Sequence, residues 1–118
     1  MKYMLLMYAD ESIGSKYSPE EFQAAREAWN ALSLEINGAG IVLSNSGLSS
    51  VANATTVRVR NGKTLTTDGP FAETHEQLGG YYLLECKDLD EAIGWAEKIP
   101  SAKYGSIEVR PLNQWSQK

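Results

Sequence analysis

The chain has one cysteine, Cys86, and one histidine, His75, among its 118 residues. A lone thiol closes no internal disulfide, so a secreted, stapled fold is not expected. One histidine and one cysteine also fall short of the usual zinc ligand set, so no metal is expected. Cations are scarce too: 11 Lys and Arg against 15 Asp and Glu leave a net charge of −4. That balance argues against direct nucleic-acid binding, which needs a basic face, and against charge-driven attachment to anionic membrane. Long apolar runs are missing. The run Tyr3–Tyr8 is far shorter than the ~20 residues of a membrane span. Asp10 and Glu11 follow it where a signal peptide would carry small residues. The expected compartment is the cytoplasm.

What remains is an ordinary globular composition, 42% hydrophobic and 22% charged, which excludes disorder and suits one domain over residues 1–118. Tyr3–Tyr8 reads as a strand apolar on both faces. Ser18-Pro19-Glu20-Glu21 is a capped helix start with a capping box. Phe22, Ala25, Trp29, Leu32 and Ile36 then form one helical stripe, which assigns Trp29 to the core. Asn37-Gly38 ends that helix. Ile41-Val42-Leu43 opens a strand, and Ser44 to Ala54 reads as a loop. Thr55–Arg60 and Lys63–Thr67 pair as a hairpin through Asn61-Gly62, with Val57 and Val59 on one face and Arg58 and Arg60 on the other. Phe71 is expected to anchor the polar segment Phe71–Leu78, a short helical turn or an ordered loop, to the core. Tyr81–Cys86 is again apolar on both faces, which makes Cys86 a buried small hydrophobe. Asp88 caps a second helix with the stripe Leu89, Ala92, Ile93, Ala96 and Ile99, and Ser106–Leu112 is the last strand.

The order is strand, helix, strand, hairpin, strand, helix, strand. Without the hairpin this is the split β-α-β, ferredoxin-like α+β sandwich. Two helices cover one face of such a sheet, yet two strands are apolar on both. The simplest second cover is the same face of another copy, so a homodimer is expected.

Asp68-Gly69-Pro70-Phe71-Ala72-Glu73-Thr74-His75-Glu76-Gln77-Leu78-Gly79-Gly80-Tyr81-Tyr82 resembles the signature of the DGPF-domain proteins of the YCII-related family. Supporting motifs run the length of the chain, among them Met1–Leu6, Asp88-Leu89-Asp90-Glu91-Ala92 and Gly105–Pro111. The resemblance implies a ferredoxin-like fold that dimerises into an α/β barrel. It also implies cofactor-independent lyase chemistry of the kind run by a His–Asp pair in the wider group. That pair's histidine falls near the first helix, where this chain has none, so the pair does not transfer. DGPF proteins usually carry Lys where this chain has His75.

The candidate acid–base residues are Asp68, Glu73 and His75, crowded into one polar loop. Each has a plainer role: Asp68 as a turn residue, His75 and Glu73 as solvated loop side chains. Arg58 and Arg110 are candidate anchors for substrate charge, or else ion-pair partners of Glu85 or Glu108. Tyr8 and Tyr82 are the tyrosines expected to reach a substrate, and Tyr8, Asp10 and Glu11 mark a candidate site rim at the exit of the first strand. Gly79-Gly80 is followed by neither Lys-Ser/Thr nor a helix, so no nucleotide loop and no cofactor are expected; close strand packing explains it better. The function expected is a lyase or isomerase acting by acid–base chemistry on a small polar or aromatic ligand. The alternative is a non-catalytic ligand sensor or accessory protein linked to transcription.

Overall fold

The computed structural model describes residues 1–113 and Trp115. Its order is β1 (Lys2–Ala9), α1 (Ser12–Ser15), α2 (Pro19–Gly38), β2 (Val42–Gly47), β3 (Thr55–Arg60), β4 (Lys63–Asp68), β5 (Gln77–Glu85), α3 (Leu89–Lys98) and β6 (Ser106–Pro111). Four strands form one antiparallel sheet in the order β2-β5-β1-β6. This mixed α+β arrangement is compatible with the ferredoxin-like fold expected. The hairpin β3–β4 forms a separate two-stranded sheet.

Local chemistry sets the element ends. Ser18 accepts from the Glu21 amide and the Glu21 side chain accepts from the Ser18 amide, closing the capping box on α2. Asp88 caps α3 in the same way through the Glu91 amide. Asn61 and Gly62 both hold positive φ, 52° and 76°, as a two-residue hairpin turn of right-handed twist requires.

Tyr3 and Leu5 of β1 face Tyr82 and Leu84 of β5 across the register, and this side carries the core. Leu32 and Ile36 from α2, with Ala92, Ala96 and Ile99 beside them, cover it. Cys86 is buried there, and burial, aided by the Glu91 carboxylate, pushes its thiol from 9.0 up to about 11.

Several expectations need correction. The expected loop from Ser44 begins as strand, because Ser44 and Ser46 pair with Leu83 and Tyr81 at the sheet edge. The Ser44 and Tyr81 hydroxyls hydrogen-bond there at 2.7 Å. The α2 stripe is buried only in its second half. Phe22 is 54% exposed under the Arg26 guanidinium, and Trp29 is half-buried. Along α3, Leu89 and Ile93 are exposed as well. Phe71 does not anchor its loop: it is 77% exposed. Glu85 pairs with the amino group of Met1, not with an arginine.

The opposite sheet face carries Met4, Leu6 and Tyr8 beside Leu83, Tyr81 and Leu78, all half-buried. The molecule measures 48 × 44 × 18 Å with a radius of gyration of 16.4 Å. A compact chain of this length would have about 13 Å, so the shape is flat and extended.

Candidate functional site

At the carboxyl end of β1 a cleft opens beside Trp29 of α2. Met7, Ala9 and Gln77 form its floor on the helical side of the sheet. Tyr17, Ile13 and Tyr104 close its sides around a cavity of about 240 Å³. The walls are aromatic and apolar, and Asp10, Glu11, Gln77 and Ser101 are the polar residues among the lining besides the two tyrosines.

Ser101 lies in the 3-10 turn Pro100–Lys103 and is 6% exposed. Its hydroxyl oxygen has no hydrogen-bond partner. Asp10 follows β1, where its Oδ1 accepts from the Ser12 amide at 2.9 Å and the Ser12 hydroxyl at 2.8 Å. These bonds, with a smaller contribution from the nearby His75 charge, hold the Asp10 carboxyl below its ordinary 3.8. Tyr104 is shifted the other way: burial first, then the neighbouring Tyr17 hydroxyl, raise its phenol.

The signature loop is tied to this rim by backbone and side-chain bonds. The Glu11 amide donates to Gln77 Oε1 at 2.9 Å, and Gln77 Nε2 donates to the Thr74 carbonyl at 2.6 Å. Glu11 in turn accepts from the Val51 amide and the Ser50 hydroxyl. Gly69 turns the chain at φ 95°, its amide bonded to the Ala54 carbonyl at 2.7 Å. Arg58 Nη2 donates to the Phe71 carbonyl at 3.4 Å.

The sequence candidates are scattered over the molecule. His75 is exposed but lies close enough to Asp10 for its charge to act there. Tyr82 is a core residue that borders the cleft's extension beside Trp29 and Asn45. Tyr8 and Glu73 line a different groove on the other side of β1, of about 750 Å³. Asp68 is exposed at the end of β4, and Arg110 is exposed opposite Met4 on the open sheet face. Neither lines the cleft.

Tyr17, Ser101 and Tyr104 are cleft residues that sequence reasoning missed. They come from the approach to α2 and the turn before β6, segments without periodicity. The available signal was Asp10 at the exit of an apolar strand.

Comparison with known families matches residues 1–116 to the YCII-related domain. A protein of Rhizobium meliloti (strain 1021), described as uncharacterized, is 41% identical over 114 residues, spanning 95% of this chain and 92% of its own.

Proposed function

The chain belongs to the YCII-related family, and on that premise we propose that it takes a small hydroxylated aromatic molecule into the Trp29 cleft and acts on it as a cofactor-independent lyase or isomerase. The observation that carries this reading is the unpartnered, buried Ser101 hydroxyl. An unmet buried hydroxyl costs on the order of 1–3 kcal/mol, and a ligand oxygen or hydroxyl would remove that cost once the Ser101 side chain, whose oxygen presents almost no surface in the empty protein, turns toward the cleft. Trp29, Tyr17 and Tyr104 supply flat walls for a ring. Asp10 is ionised at neutral pH and so begins as a proton acceptor. His75 is exposed and does not line the cleft, but its charge reaches Asp10, and it is the proton donor in this scheme. Asp68, Glu73, Arg58, Arg110 and Tyr8 lie outside the cleft and would join the chemistry only at a site closed by another copy.

The second reading is a ligand sensor without turnover. The Ser12 bonds that keep Asp10 ionised also make it a weak base, which favours binding over proton transfer.

A thermal-shift screen of hydroxylated aromatics, followed by NMR of the incubated hits, tests both. A shift abolished by Ser101→Ala supports the cleft. Product formation lost in Asp10→Asn supports the enzyme, and binding with no product supports the sensor. Asp10 sits below 3.8, so its protonation would cut turnover only below about pH 4. No shift from any ring compound would sink the cleft reading.

The same proposal makes the protein a cytoplasmic homodimer joined through the open sheet face. Its support is the half-buried apolar stripe of Met4, Leu6, Leu83 and Tyr81, which no helix among the described residues covers.

A further inference from the structure

The hairpin β3–β4 is an arm. Its register puts Val57 and Val59 on one face with Thr66 and Thr64, and Arg58, Arg60, Lys63 and Leu65 on the other. Val57 is 59% exposed, Val59 60% and Leu65 48%. An isolated two-stranded ribbon is marginal in water and needs a surface to pack on. Its strands of 6 residues each reach about 20 Å, which accounts for part of the excess radius of gyration.

Charge says what surface fits. Residues 55–68 hold three cations and one anion, Asp68 at the root, and without them the chain's −4 becomes −6. The arm is therefore a basic ribbon on an acidic body. Near its root lies the 750 Å³ groove of Tyr8, Leu78, Pro70, Phe71, Glu73 and Glu76. That lining carries carboxylates and no cation. Phe71 stands exposed in it, and Glu73 makes no ion pair among the described residues. Tyr8 and Leu78 also belong to the open sheet face, so groove and face are continuous.

We infer that each copy's arm docks in the acidic groove of a second copy of this chain. Val57 and Val59 lie against the wall of Phe71 and Leu78, while Arg60 and Lys63, at the tip, reach Glu73 and Glu76. The occupant is a second copy because the arm and the groove are complementary in both charge and apolar surface, and one two-fold axis satisfies both pairs. This inference rests on the sheet-face dimer proposed above and adds to it an exchange of arms that pins Phe71 and the signature loop.

Sedimentation equilibrium on charge-reversed full-length chains tests it. Arg60→Glu with Lys63→Glu should weaken the dimer about tenfold or more, Glu73→Lys should weaken it similarly, and all three together should recover most of the loss. These side chains are exposed, so folding is preserved. A wild-type dimer indifferent to the reversals, or weakened without recovery in the combination, overturns the arm exchange and leaves the sheet dimer standing. A wild-type monomer overturns both.

Discussion

Ser101 separates stability from function. Its buried, unpartnered hydroxyl is a cost to the empty protein. Ser101→Ala should therefore leave urea stability unchanged or raise it by about 1 kcal/mol, while ligand-induced thermal shifts disappear. Trp29 differs, since it packs on the core and also walls the cleft. Cys86 gives a pH signature. Its native thiol holds its proton to about pH 11, whereas the unfolded thiol loses it near 9.0. The unfolded state then binds fewer protons between those values, so stability should fall by about 2–3 kcal/mol from pH 9 to 11. Below pH 9 this contribution is fully present. Denaturant melts across that range check the slope, which Cys86→Ala should flatten.

At the scale of elements, two glycines set how closely strands and turns approach. A Cβ on Gly80 would lie 2.7 Å from the Ser46 carbonyl oxygen and 2.8 Å from Met7 Cε. At Gly105, leading into β6, it would run into the Tyr8 carbonyl oxygen and Ala9. Backbone cannot yield as a flexible side chain does. Gly105→Ala should cost about 3 kcal/mol in urea melts and open the Tyr104 side of the cleft. By contrast Ser18→Ala removes one half of a capping box and should cost about 1 kcal/mol.

For the whole molecule, flatness is the governing fact. An 18 Å thickness leaves room for one sheet and one layer of helices, with the second sheet face half-buried and covered by no helix among the described residues. Light scattering at micromolar concentration should give about 26 kDa, twice the chain's 13.0 kDa. Leu83→Glu, which plants a charge in the open apolar stripe, should return the mass to 13.0 kDa with helix content unchanged. Phe71→Ala should leave the stability of a monomeric Leu83→Glu background within about 0.5 kcal/mol, because Phe71 touches no core there.

The sequence by itself determined every element whose cause is local. The capping box at Ser18 and Glu21, the Asp88 cap and the Asn61-Gly62 turn each depend on residues within a few positions of one another. Most strand alternations were legible for the same reason, as was the buried fate of Cys86, but Ser44–Gly47 and Gln77–Leu78, which lie in polar segments that read as turn or loop, join the sheet only through pairing with distant strands. Loop Asp68–Glu76 was recognisable as a signature, but its surroundings were not. Where the α2 stripe stops being core, which leaves Trp29 over a cleft, depends on how far the helix overhangs the sheet. Whether Phe71 points inward depends on a turn at Gly69 and on what the hairpin leaves bare. The meeting of Asp10, Gln77 and Ser101 joins positions separated by 24 residues or more, and only the packing of β1, β5 and the turn before β6 brings them together. Hydrophobic periodicity records which face a residue turns inward; it carries no record of which distant segment lies there, and that was decided by tertiary packing.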